Sequence, residues 1–317
     1  MTGSARVVHY SMSFTAGNDP TTLLTQVEHS MSSLRRYNHA TDIVLFAYDA
    51  VPERLARTCR RYGVELCFRG SYARLLEALC PAGWPVLTRY PVLHKFLNFR
   101  ALAGTGAAQA LYCDCDTVFR ADVDELFEAY TAADLYAREE VHSSRSRYGP
   151  DPAFLDERRL RAVAHSLGVV AVPPFNTGVV LLNHRAWEVL GTLDGWFLEC
   201  AWHLLLWMSL HPEHTAGSGY GTLDGVGTAR ELGSPDQLAR ALPFPSANQW
   251  ILEEVAAWLT LGAVPRLTTA DFSPADVVQN GEFAGARPAG WTLCHYFSGN
   301  HDAMTNWLAG SPAGHHP

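Results

Sequence analysis

Leu111-Tyr112-Cys113-Asp114-Cys115-Asp116-Thr117-Val118-Phe119 is a short apolar run interrupted by two carboxylates one residue apart. Side chains alternate along a strand, so Asp114 and Asp116 are expected on one side and Cys113 and Cys115 on the other. At the carboxyl end of a parallel strand, such a pair stands in the crevice where open α/β sheets bind ligands. Two like charges this close need a counter-charge. A hard divalent cation such as Mn2+ or Mg2+ is the simplest one.

The segments before this run supply the sheet. Val7 to Met12, Ile43 to Tyr48 and Val64 to Phe68 read as strands. Between them lie a helix starting after Asp19-Pro20, with Leu23, Leu24, Val27, Met31 and Leu34 at helical spacing, and a second helix from about Pro52 that Gly63 ends. Strand and helix alternation predicts an α/β fold, with a mostly parallel central sheet and helices on both faces. A helix over about Val92 to Ala103 leads to Ala110 to Cys115, the strand that carries the aspartates. Later strands are expected at Leu135 to Arg138, Phe175 to Asn183, Val264 to Leu267 and Trp291 to Phe297. Helical material is expected over Trp187 to Leu210 and around Ile251 to Leu259.

The chain of 317 residues reads as one domain over 1–317. An insertion is expected at 138–172, where arginines gather on what reads as a solvated face, and a mobile glycine-rich loop at 213–240. A net charge of −8 argues against a general affinity for nucleic acid or anionic membrane. Trp196 to Leu210 is too short for a bilayer span and contains Glu199, so no membrane span is expected. Seven cysteines without a Cys-x-x-Cys pair read as reduced thiols of a cytoplasmic protein.

Two further segments carry polar groups suited to a site. Phe175-Asn176-Thr177-Gly178 sets an amide, a hydroxyl and a glycine just before a buried strand, although an ordinary turn explains the same residues. Cys294-His295-Tyr296-Phe297-Ser298-Gly299-Asn300-His301 offers His295 as an imidazole ligand and His301 as a phosphate contact.

In this order, with Asn248-Gln249-Trp250 opening a helix between the last two segments, the motifs resemble the GT-A glycosyltransferases. The similarity is to family 8 in particular, the group of glycogenin and bacterial galactosyltransferases. The resemblance implies a Rossmann-like GT-A fold with an inserted acceptor-side region, and transfer of a hexosyl group from a UDP-sugar to a hydroxyl acceptor with retention. It implies Asp114, Asp116 and His295 as metal ligands, with Asn176 and Gly178 lining the sugar pocket and Asn248 or Gln249 bordering the reacting face. Cys115 would approach the ribose through its backbone. Tyr10 and Ser11, taken as the end of the first strand, would sit near the nucleobase. Lys95 would face the donor, against the alternative of a solvated lysine. Gly299 and His301 would lie by the phosphates, His301 standing where the family has lysine. Asn248 likewise replaces the family's aspartate. Two rivals remain open. Asp114-Cys115-Asp116-Thr117-Val118 also fits a haloacid-dehalogenase-like phosphohydrolase with Asp114 as nucleophile, and the departures permit a non-catalytic sugar-nucleotide-binding protein.

Overall fold

Along each central strand, odd and even residues separate into two cores. Val7, Val44, Phe46, Ala110, Tyr112, Val180 and Leu182 pack on one face, and Val8, Tyr10, Ile43, Leu45, Leu111, Val179 and Leu181 on the other. That period of two, apolar on both sides, is what a sheet covered by helices on both faces requires. The computed structural model describes residues 6–14, 20–103, 106–139, 157–210, 249–279, 290–296 and 304, and the side chains of 157–160, 162, 207–210 and 249–251 lie outside that description.

The strands β1 (Arg6–Ser13), β2 (Asp42–Tyr48), β3 (Glu65–Phe68), β4 (Gln109–Cys113), β6 (Leu135–Glu139), β7 (Phe175–Asn183) and β8 (Thr269–Asp271) form one sheet in the order β3-β2-β1-β4-β7-β6-β8. Only β7 runs against its neighbours in that sheet. A second sheet, β5 (Thr117–Phe119), β10 (Leu293–His295) and β9 (Val277–Gln279), lies beside it in that order. One face is covered by α1 (Thr21–Tyr37), α2 (Glu53–Tyr62) and α6 (Asp124–Ala129). The other holds α3 (Tyr72–Leu79), α4 (Trp84–Leu87), a 3-10 turn at Pro91–Asn98 running into α5 (Phe99–Ala103), α7 (Glu157–Ser166), α8 (His184–Leu190), α9 (Asp194–Leu210) and α10 (Gln249–Gly262). This is the mixed α/β architecture with a mostly parallel sheet that the GT-A resemblance implies.

Gly63 ends α2 at φ 60°, ψ 42°, the left-handed position that a residue without Cβ takes at little cost. Elsewhere the sequence expectations need correction. The helix over Val92 to Ala103 is a 3-10 segment followed by a short α-helix, and Trp187 to Leu210 holds two helices, split at 191–193. Val264 to Leu267 is a turn, because Leu267 N donates to Val264 O, and the strand comes just after it as β8. Of residues 138–172, expected as an insertion, Arg138 and Glu139 belong to β6 and 157–166 to α7, while 140–156 lie outside the described residues. Arg138 is no solvated arginine, since it is 2% exposed and donates to Phe272 O at 3.1 Å. The loop at 213–240 lies outside the described residues. All seven cysteines are free thiols. Among the described residues no helix is long and apolar enough to cross a membrane.

Asp194, the first residue of α9, gives a stability prediction. Its Oδ1 is buried without a hydrogen-bond partner and Oδ2 lies 3.7 Å from Arg100 Nε. Burial raises the carboxyl to about 6, with Arg100 and Arg69 offsetting only part of the shift. A raised carboxyl favours the protonated folded state, so this group's penalty is absent below the unfolded value of about 3.9 and complete above about 6. Asp194→Asn should therefore stabilise the protein by about 1–2 kcal/mol at pH 7.5, after discounting for residual solvent screening. Denaturant melts at pH 7.5 and pH 4 check it, because the gain should vanish at the lower pH.

Candidate metal centre

The two aspartates do share a direction, but not by alternation along a strand. β4 stops at Cys113, and Asp114 to Asp116 form a tight turn in which Thr117 N donates to Asp114 O at 3.2 Å. The chain then reverses into β5, which pairs with β10 so that Thr117 lies opposite His295. Tyr296 N donates to Asp116 O at 2.9 Å and closes that junction. Side chains far apart in sequence are thus brought together by a short antiparallel ladder. His295 Nε2 lies 3.4 Å from Asp116 Oδ1 and 3.7 Å from Asp114 Oδ2, and one ligand atom from each of the three residues falls within 4.8 Å of the others.

Gly178 makes room for that histidine. A Cβ on Gly178 would stand 1.9 Å from His295 Cε1, so the imidazole rests directly on the β7 backbone. Gly178 O also accepts from Asp114 N at 2.7 Å, which ties the turn to the same residue. Asn176, Thr177 and Gly178 lie inside β7, not in a turn before it. The register against β6 shifts between Ala137, opposite Val180, and Arg138, opposite Asn176. Irregularities of this kind re-aim side chains, and here both Asn176 and Thr177 reach α10. Asn176 Nδ2 donates to Glu254 Oε1 at 3.0 Å, and Thr177 Oγ1 donates to Glu253 Oε2 at 2.7 Å. Trp258 Nε1, donating to Phe175 O at 2.7 Å, pins α10 against the strand.

Lys95 is neither solvated nor unpaired. Its Nζ sits 2.8 Å from Asp114 Oδ2 and 3.4 Å from Glu253 Oε2. Burial alone would lower this ammonium, yet Asp114 and Glu253 outweigh it and hold Lys95 firmly charged. Tyr112 OH donates to Asp114 Oδ1 at 2.5 Å, and burial together with Asp114 pushes that phenol far up. Burial would likewise lower His295, but Asp116 and then Asp114 raise it above its ordinary 6.5. Glu253 is raised by burial, against the pull of Lys95 and Thr177.

The remaining sequence-derived residues are placed as follows. β1 continues to Ser13, so Tyr10 and Ser11 lie within the strand and not at its end. Tyr10 is buried toward α1, its OH 2.9 Å from Ser30 Oγ. Ser11 faces the opposite side, where its Oγ lies 2.6 Å from His94 Nδ1 and accepts from Asn98 Nδ2 at 2.7 Å. Tyr48 OH extends that buried chain to Asn98 Oδ1. Cys115 is partly buried, with Sγ 3.8 Å from Gln26 Oε1. Asn248, Gly299 and His301 lie outside the described residues, and Gln249 opens α10 with its side chain outside the description.

Sequence reasoning missed Glu253, Glu254, Tyr112 and His94. The glutamates left a signal: two consecutive carboxylates in the apolar helical run Leu252 to Leu259 must face either solvent or a buried partner. Both are buried here, at 2% and 4% exposure. Three carboxylates, from Asp114, Glu253 and Glu254, act on the Lys95 ammonium. Two carboxylates with an imidazole, from Asp114, Asp116 and His295, are a donor set that suits a divalent cation such as Mn2+ or Mg2+.

Neither a protein-family profile nor a curated protein sequence matches this chain. Solved structures do. The apo form of the glycosyltransferase GlyE from Streptococcus pneumoniae TIGR4 superposes with a TM-score of 0.50 at 14% identity, covering 96% of this chain and 60% of that one. Another GlyE structure gives 0.49 at 13% identity over the same shares. Mouse xyloside xylosyltransferase 1 in its apo form gives 0.47 at 15% identity, covering 92% of this chain and 97% of that one. This chain thus spans about 60% of the length of GlyE. At these identities the likeness concerns the fold, which this chain has in common with a bacterial glycosyltransferase.

Proposed function

We propose that the protein is a metal-dependent glycosyltransferase that moves a hexosyl group from a nucleotide-sugar donor, a UDP-sugar in this reading, to a hydroxyl acceptor with retention. One observation carries the proposal: Asp114, Asp116 and His295 converge within 4.8 Å at the carboxyl end of β4. Mn2+ or Mg2+ held there would supply Lewis-acid stabilisation of charge on a leaving diphosphate. The protein's own groups set the surroundings. Gly178 seats His295, Tyr112 fixes the Asp114 carboxylate, and Asn176 and Thr177 hold α10 against the site.

In the same reading Cys115 borders the nucleoside, Gly299 and His301 the diphosphate, and Asn248 and Gln249 the reacting face of the sugar, while Tyr10 and Ser11, buried within β1, support that wall from the core. His295 favours transfer over the phosphohydrolase alternative, because a nucleophilic aspartate gains nothing from an imidazole that shares both carboxylates.

Isothermal titration with a panel of nucleotides and nucleotide sugars, with Mn2+ and with EDTA, tests the proposal. UDP and one or more UDP-sugars should bind at least about tenfold more tightly with the cation. Tight donor binding that ignores EDTA would overturn it, as would release of inorganic phosphate from simple phosphate esters.

A further inference from the structure

Lys95 stands where an incoming cation must compete with it. The carboxylate oxygen it holds, Asp114 Oδ2, is also the Asp114 oxygen nearest His295. An ammonium and a divalent ion sharing one oxygen would repel strongly, since the site is largely withdrawn from water. The lysine nevertheless has a second seat. Glu253 Oε2 lies 3.4 Å from Nζ, so a sub-ångström shift turns a loose contact into a full ion pair. That oxygen is held in place by Thr177 Oγ1 at 2.7 Å and cannot follow the lysine away. The side chains are not jammed together, because Lys95, Glu253, Thr177 and Tyr112 stand at the wall of a cavity of about 30 Å3 whose other walls are apolar, Phe96, Phe99 and Val180 among them.

We propose that Glu253 is a positioning residue that receives Lys95 from Asp114 when a divalent cation binds, and that Lys95 is the built-in counter-charge of the metal-free site. This rests on the metal-centre reading above. Without metal, the ammonium bridges Asp114 and Glu253 and offsets the crowded carboxylates. With metal, the cation takes over Asp114, and Glu253 keeps Lys95 buried, charged and beside the site. No bond is made or broken, and cation affinity is set in part by how well Glu253 accepts the lysine.

Mn2+ affinity, read by the paramagnetic resonance of free Mn2+, tests this in wild type, Lys95→Met, Glu253→Gln and the double variant, with circular dichroism confirming the fold of each. Lys95→Met removes the competitor and should bind Mn2+ at least about tenfold more tightly. Glu253→Gln removes the second seat and should bind about tenfold more weakly. In the Lys95→Met background, Glu253→Gln should lose most of that effect. Simple loss of a nearby negative charge would weaken binding equally in both backgrounds, and that result would overturn the proposal. So would unchanged or weaker binding in Lys95→Met, a variant that decides the matter even if Glu253→Gln does not fold. Absence of Mn2+ binding by the wild type would instead sink the metal-centre reading itself.

Discussion

Gly178→Ala is expected to lower Mn2+ affinity at least about 100-fold and to remove donor turnover, while leaving a folded protein. The added Cβ would meet His295 Cε1 at 1.9 Å, Nε2 at 2.3 Å and Nδ1 at 2.5 Å, so the ring cannot stay where it is. Only two adjustments are open. The imidazole can leave, but its backbone is fixed in β10 opposite Thr117, and a new rotamer carries Nε2 away from both carboxylates. Alternatively β7 can retreat, which stretches the 2.7 Å bond from Asp114 N to Gly178 O and moves the aspartate turn instead. Either way a ligand is lost outright, which should exceed the roughly 10–100-fold cost of disturbing only the outer shell of a metal site. The stability cost should be modest, about 1–3 kcal/mol as for other overpacked positions, because the collision is with a side chain. Mn2+ titration, donor turnover and thermal melts measured together separate these effects. Wild-type Mn2+ affinity in the variant would mean that His295 does not sit against β7.

The same glycine shows which parts of the site could be read from the chain. Continuous apolar runs at β1, β2 and β4, alternating with helical segments, make the central sheet legible, because covered parallel strands are apolar on both faces. The aspartate pair and His295 stood out as charged or titratable residues beside apolar runs. The turn at Asp114 to Asp116 did not, because Thr117-Val118-Phe119 continues the apolar character of β4 although the chain has already changed sheets. Gly178 looked like a pocket wall and is the seat of an imidazole, a role fixed only when β10 arrives from the far end of the chain. Lys95 was undecided for a similar reason. A long side chain can lie in water or reach a carboxylate, and its partner Glu253 lies on a helix whose contacts with Thr177 arise from tertiary packing and the register shift in β7. Local pattern reports which residues are buried. Which buried charges meet depends on topology.

Asp116→Asn should be the cleanest loss-of-charge variant of the proposed metal centre. The amide keeps the shape of the side chain, and the bond from Tyr296 N to Asp116 O belongs to the backbone, so the β5–β10 junction should survive. What disappears is one anionic ligand and the first of the two carboxylates that raise His295. Mn2+ affinity should fall at least about 100-fold and turnover about 1000-fold or more, as for loss of a ligand rather than of its support. The pH behaviour provides an independent readout. A metal ligand must be the neutral imidazole, so wild-type Mn2+ affinity should weaken as pH falls through the raised His295 value. Metal-free wild type should do the reverse: its imidazolium, paired with Asp116 and Asp114, adds stability at low pH that is lost as pH rises through that same value. In Asp116→Asn the imidazole should titrate at lower pH, and both transitions should move down with it. NMR titration of the histidine ring protons, run beside melts of the metal-free proteins, reads that movement directly. A His295 titration that ignores the substitution would contradict the 3.4 Å approach of its Nε2 to Asp116, and with it the ligand set on which the transferase reading stands.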